Sequence, residues 1–148
     1  MSDTNIVCSA CGGVNRIPPG RDAQQARCGT CKERLFSGHA ADVDATVFDK
    51  QVGRSTIPVL VDIWAPWCGP CRAMAPAYEA AAAQLEPQMR LIKLNSDAEP
   101  AVSARLGIRG IPTMILFDGG RERARTSGAM TARQIVDWVR SQLPSVAA

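Results

Sequence analysis

All six cysteines of this 148-residue chain fall in Cys-x-x-Cys pairs: Cys8/Cys11, Cys28/Cys31 and Cys68/Cys71. That grouping constrains the fold more than any other feature. A secreted disulfide scaffold scatters its cysteines to staple distant segments, whereas paired cysteines in a reducing compartment bind metal or perform redox chemistry. Met1 to Val7 has neither a basic start nor an apolar stretch ending in small residues, so it does not read as a secretory signal and a cytoplasmic location is expected. The length allows one ordinary domain with a small appendage and excludes two full domains. A net charge of +3 is too small to call for nucleic acid or an anionic membrane. The longest apolar run, Ile57 to Ala65, is interrupted by Asp62 and falls short of the roughly 20 residues a membrane helix needs.

The first two pairs lie in a segment, residues 1–38, that is rich in Gly, Pro and Arg and poor in large apolar side chains. Such a segment needs a staple to fold. Sixteen residues separate Cys11 from Cys28, the spacing of a four-cysteine zinc ribbon. Cys8, Cys11, Cys28 and Cys31 would hold one zinc ion. Four protein ligands leave no open position, so that zinc is expected to be structural. Zinc-bound thiolates remain oxidisable, so loss of metal under peroxide is a further expectation. Two short disulfides or two extra redox pairs are the rival reading, and neither pair opens a helix. Five basic residues against three acidic ones, with Phe36 the only aromatic, give no platform for nucleic acid. His39, the only histidine, reads as a linker residue beside a site already filled by cysteines.

Residues 39–148 form the larger domain. Ser37 to Asp44 reads as a linker leading to a helix capped near Asp44 and running from Thr46 to Val52. Apolar periodicity then predicts a strand at Val59–Trp64, a helix at Gly69–Leu85, a strand at Leu91–Leu94 and a short helix at Ala98–Leu106. Asp118-Gly119-Gly120 joins Thr113–Phe117 to Glu122–Thr126 as an antiparallel hairpin. A helix from Thr131, its cap, to about Gln142 closes the chain, with Ile135, Trp138 and Val139 inward. This order mixes a parallel crossover with a hairpin, which defines an α/β fold with a mixed central sheet flanked by helices. Pro76 falls inside the long helix and is expected to kink it.

Trp67-Cys68-Gly69-Pro70-Cys71 follows a buried-type strand and opens a helix. Unpaired N–H groups and the positive end of the helix dipole favour a thiolate there, so Cys68 is the expected nucleophile. Cys71, one turn on and on the same side, is the expected resolving thiol. Asp62 interrupts the preceding strand, where an unpaired carboxylate is costly to bury unless it is used. Trp64 and Trp138 read as core.

The stretch Val61-Asp62-Ile63-Trp64-Ala65-Pro66-Trp67-Cys68-Gly69-Pro70-Cys71 resembles the active-site segment of thioredoxins. The likeness continues through Lys93-Leu94-Asn95, Gly107 to Thr113 and Ser127-Gly128-Ala129. It implies a thioredoxin fold and a thiol–disulfide oxidoreductase that reduces disulfide-containing client proteins. Re-reduction by an NADPH-dependent flavin thioredoxin reductase is implied, with no tightly bound organic cofactor. Asp62 would accept the proton of the resolving thiol, with Lys93 nearby. The Ile111-Pro112 bond would be cis, and Trp67, Gly69, Pro70, Ile111, Pro112, Gly128 and Ala129 would form a shallow docking face. A zinc ribbon joined to such a domain resembles the bacterial thioredoxin-2 group. An oxidant or isomerase on the same fold would usually carry a histidine between its cysteines, and Gly69-Pro70 argues against one. A zinc-ribbon binding module using the larger domain as a scaffold is the rival from another class.

Overall fold

The computed structural model describes residues 3–146; the outer ends of both predicted domains, residues 1–2 and 147–148, lie outside it. Its centre is a strand with no polar face to spare. Val59–Trp64 (β4) is a nearly continuous apolar run, as befits a strand covered on both sides. It lies between β5 (Arg90–Asn95), to which it is parallel, and β6 (Thr113–Asp118), to which it is antiparallel. The short β3 (Ala41–Asp42) forms one edge beside β5, and β7 (Arg121–Ser127) forms the other beside β6, with a bulge at Leu116/Phe117. The five-stranded order is β3-β5-β4-β6-β7.

Side-chain alternation sends the two faces of β4 into separate cores. Leu60 joins Leu91, Met114 and Leu116 beneath α2 (Gly69–Leu85) and α4 (Ala132–Gln142), which supply Met74, Tyr78, Ile135 and Val139. Val59, Val61 and Ile63 join Ile92, Leu94 and Ile115 beneath α1 (Ala45–Arg54) and α3 (Pro100–Arg105). The predicted caps are in place. Asp44 Oδ1 accepts from Val47 N at 2.8 Å, and Thr131 with Gln134 forms a reciprocal capping box. The helix α2 continues through Pro76 to Leu85. Among the described residues no helix is long and apolar enough to cross a membrane.

The amino-terminal segment builds a hairpin from β1 (Thr4–Val7) and β2 (Val14–Ile17) and two matched cysteine turns. Cys8 N donates to Gly13 O and Gly12 N to Cys8 O; Cys28 N donates to Glu33 O and Lys32 N to Cys28 O. Gly12 and Lys32 occupy equivalent positions, both with left-handed φ, at 78° and 70°. Glycine is free to adopt that conformation; Lys32 does so with its ammonium donating to Gly29 O at 2.8 Å.

The segment read as a linker contains β3. The sequence carries no reading of how the ribbon sits on the larger domain, and in the structure it is packed against it. Ile57 joins Ile6, Leu35 and Phe36 in a shared apolar cluster. The Val7 carbonyl accepts from Gln51 Nε2 at 3.0 Å and Arg90 Nη2 at 2.9 Å, while the Arg90 guanidinium lies 4.2 Å above the Phe36 ring.

Candidate functional site

The β4 strand runs out at Trp64, and a turn closed by Cys68 N to Ala65 O at 3.1 Å delivers the chain to α2. Cys68 is the N-cap residue of that helix. Its Sγ accepts from Cys71 N at 3.2 Å, which places the sulfur where negative charge is best stabilised. Pro70, in the first turn, removes no needed donor. Cys68 and Cys71 are disulfide-bonded with Cα atoms 5.3 Å apart, and both residues are buried in this oxidised form. They differ in what they face. Cys68 lines an open cleft of about 520 Å³, and Cys71 does not.

The opposite wall is the 107–112 segment. The Ile111-Pro112 peptide bond is cis, as the resemblance implied. Ile111 O lies 3.8 Å from Cys68 Sγ, and Gly128 N donates to Pro112 O at 2.9 Å. Thr113 Oγ1 ties the segment back to Gly110 O and to Ser127 Oγ. The expected docking residues divide on this geometry. Trp67, 69% exposed, joins Gly69, Pro70 and Ile111 in lining the cleft. Pro112 is buried, Gly128 is exposed outside the cleft, and Ala129 lines a neighbouring groove with Met74 and Pro76. Ser96, Ser103, Ile108, Arg109 and Gly110 also line the cleft and carried no assignment from sequence. The Gly107–Thr113 likeness was the only sequence signal for Ile108, Arg109 and Gly110, and Ser96 and Ser103 had none.

Asp62 has no exposure, and neither carboxylate oxygen has a hydrogen-bond partner. Burial pushes its pKa up to about 7; the Lys93 charge opposes the shift and the Asp42 charge adds to it. Alternation along β4 puts Asp62 on the Leu60 face, under the helix that carries Cys71. Lys93 is its register partner on β5. Trp64, expected as core, is half-buried instead. Its Nε1 donates to Asp42 Oδ1 at 2.7 Å, and Lys93 Nζ sits 4.5 Å above its ring. Trp138 is partly buried against the α2/α4 core.

The four ribbon sulfurs all lie within 4.8 Å of one another. Cys8 and Cys31 Sγ are 3.6 Å apart, as are those of Cys11 and Cys28. A tetrahedron with Zn–S of about 2.3 Å needs sulfurs about 3.8 Å apart, so this donor set fits zinc. Outer donors are present too: Gly13 N approaches Cys11 Sγ at 3.4 Å, and Thr30 N and Asn15 Nδ2 approach Cys28 Sγ at 3.4 and 3.5 Å. Burial raises the Cys28 thiol, but the Cys31, Asn15 and Thr30 donors outweigh it and bring the pKa to about 6. His39 takes no part; its Nδ1 meets Glu79 Oε2 at 2.9 Å.

A mixed sheet whose central strand delivers a Cys-Gly-Pro-Cys disulfide to a helix N-terminus, facing a cis-proline loop, defines a thiol–disulfide oxidoreductase of thioredoxin fold. The comparisons agree. The thioredoxin family profile matches residues 39–141, and the profile described as "Thioredoxin 2, N-terminal" matches residues 7–33. The chain belongs to the thioredoxin family and carries that family's amino-terminal zinc-ribbon module. It is 37% identical over 138 residues to "Thioredoxin C-3" of Corynebacterium nephridii, covering 93% of this chain and 94% of that one. With "Thioredoxin 1" of Nostoc sp. it shares 45% identity over 91 residues, 62% of this chain and 85% of the relative. A solved mutant thioredoxin from Halobacterium salinarum NRC-1 superposes with a TM-score of 0.63 at 26% identity, over 72% of this chain and 93% of that one. Thioredoxin-type protein-disulfide reduction is therefore its activity.

Proposed function

We propose that Cys68 is the attacking thiol and Cys71 the resolving thiol in the reduction of client protein disulfides. One observation carries the assignment: only Cys68 opens onto the cleft while its sulfur accepts the Cys71 N–H in the first turn of α2. In the dithiol form the Cys68 thiolate attacks one client sulfur, and the other client sulfur leaves and takes a proton. A Cys68–client disulfide results. Cys71 then gives its proton to Asp62 and attacks Cys68 Sγ, closing Cys68–Cys71 and expelling the second client sulfur as a thiolate, which takes a proton from solvent. Two electrons pass to the client. Asp62 suits the proton transfer because burial without hydrogen bonds tunes its basicity to neutral pH, and Lys93 moderates that tuning. Trp67, Gly69, Pro70 and Ile111 provide the docking wall, while Pro112, Gly128 and Ala129 hold or extend it. An NADPH-dependent flavin reductase restores the dithiol, and the protein works in the cytoplasm.

Cys8, Cys11, Cys28 and Cys31 would hold one structural zinc, which supplies the cross-link that a segment with so small a core lacks. Its thiolates remain open to peroxide oxidation. The test of the redox assignment is insulin reduction with dithiothreitol as electron source. Acceleration by the full chain, abolished by Cys68→Ser, is expected; no acceleration would leave the larger domain as a scaffold.

A further inference from the structure

Asp42, Lys93 and Asp62 occupy one rung of the sheet. Asp42 on β3 and Asp62 on β4 are both register partners of Lys93 on β5, the strand between them. Side chains on one rung of parallel strands point to the same face, here the face covered by α2 and α4. Asp42 is exposed, Lys93 is half-buried and Asp62 is fully enclosed. The proton-transfer scheme uses Asp62 and Lys93 and gives Asp42 nothing to do. Yet Asp42 is the residue that holds Trp64, by the 2.7 Å bond from Nε1, and Trp64 is the ring on which the Lys93 ammonium rests at 4.5 Å.

We propose that Asp42 is a positioning residue for the redox reaction, fixing the ring that seats Lys93 and competing with Asp62 for the charge of that ammonium. This rests on reading Asp62 as the proton acceptor of Cys71. Lys93 closes no ion pair with either carboxylate among the described residues. It acts on Asp62 through space, so its effect depends on where the ring keeps it and on what other charge it faces. The indole reaches from β4 across β5 to β3, so the bond to Asp42 fixes the ring at its far end. The charge of Asp42 meanwhile offsets part of the pull of Lys93, keeping Asp62 a better base near neutrality.

The groups facing Asp62 are few. The β5 strand presents Lys93 and β3 presents Asp42; β6 presents Met114, which does not titrate. The α2 helix presents Tyr78, whose hydroxyl sits 2.8 Å from Ile92 O and 3.1 Å from Leu60 O, and the Cys71 thiol in the reduced state. The buried α4 residues on this face, Ile135, Val136 and Val139, carry no charge.

Asp42→Asn keeps an oxygen acceptor for the indole and removes the charge; Asp42→Ala removes both. Two strand spacings separate Asp42 from Asp62, about 10 Å, and one partly screened charge at that distance moves a titration midpoint by about half a pH unit. The Asp62 carboxyl would be titrated by carbon-13 NMR in the reduced full-length chain, with the Trp64 indole N–H resonance followed in parallel. In Asp42→Asn a lower Asp62 midpoint with the indole resonance in place is expected. In Asp42→Ala the indole resonance should move as well. An Asp62 midpoint equal to wild type in both variants would overturn the proposal, as would an indole resonance unmoved in Asp42→Ala. Asp62→Asn kinetics are a separate matter: an unchanged resolving step there would remove the proton-acceptor reading while leaving the Asp42 titration result standing.

Discussion

Arg90 Nη2 donates a 2.9 Å hydrogen bond to the carbonyl oxygen of Val7, 83 residues away in the chain. A guanidinium on an inner strand of the sheet thus holds the residue that precedes the first ribbon cysteine. Arg90 is 3% exposed, and its charge is balanced by Glu86, four residues earlier where α2 ends, at 3.6 Å. Burial pushes Glu86 up to about 7 against the opposing pull of Arg90. The zinc ribbon is therefore latched to the catalytic domain by a buried ion pair and not by a flexible tether alone.

That latch makes the first prediction. Arg90→Met leaves the Glu86 carboxyl without its opposite charge and the Val7 carbonyl with Gln51 alone, and breaking one side of a buried pair costs about 3 kcal/mol or more. Urea unfolding at pH 7 should show that loss. Adding Glu86→Gln should recover part of it, because the uncompensated charge is then gone. Equal stability of wild type and Arg90→Met would mean that the latch contributes nothing.

The second prediction separates the two redox cysteines. Cys71→Ser should accumulate mixed disulfides with client proteins through Cys68, visible as adducts on non-reducing gels that dithiothreitol releases. Cys68→Ser should form none and have no turnover. Adducts trapped through Cys71 would reverse the assignment.

Asp62, the proposed proton acceptor, ties stability to pH with a definite sign. Its carboxyl titrates near 3.8 when unfolded and is pushed up to about 7 when folded. The folded state thus binds the proton more tightly, so the stability gained from this group is full below pH 3.8 and is lost as pH rises toward 7. Asp62→Asn removes that loss. Its unfolding free energy should match wild type at acid pH and exceed it at pH 8, by on the order of 4 kcal/mol. The same variant should slow the resolving step at least roughly tenfold near neutral pH. A stability difference independent of pH would show that Asp62 is not the carboxyl held protonated by burial.

Much of this is legible in the amino-acid sequence, because local chemistry decides it. Asp44 and Thr131 announced helix starts, Asp118-Gly119-Gly120 announced the hairpin, and Cys68 to Cys71 announced a helix opening at a redox pair. What stayed hidden depends on contacts between distant segments. Ala41–Asp42 is too short to show alternation and becomes a strand only because the β5 edge is there to pair with. Gln51 and Arg90 look like solvated residues, yet both are buried where Val7 O accepts from each, with Glu86 and Phe36 facing the Arg90 charge. Trp64 reads as core by composition but turns its N–H to an edge carboxylate. The cleft residues Ser96, Ser103 and Arg109 come from separate segments that meet only in the fold.

Gly13 gives the last prediction, which tests the metal site without reference to activity. A Cβ built there would lie 3.1 Å from Thr30 Oγ1 and 3.3 Å from the sulfurs of both Cys11 and Cys28. The same residue donates its N–H to Cys11 Sγ and receives Cys8 N and Asn15 Nδ2 on its carbonyl, so its backbone cannot shift without disturbing the whole knuckle. Gly13→Ala must therefore push two ligands away from the tetrahedral arrangement. Gly29→Ala is the control: its Cβ would meet only Asn15 Oδ1, at an ordinary 3.7 Å. Zinc affinity measured by chelator competition should fall roughly tenfold or more in Gly13→Ala, the scale of an outer-shell disturbance, and hold in Gly29→Ala. Because zinc would hold the ribbon together, the hairpin amides of β1 and β2 should exchange with solvent faster in the first variant only. Unchanged zinc affinity in Gly13→Ala would show that the four sulfurs are not confined as this geometry requires.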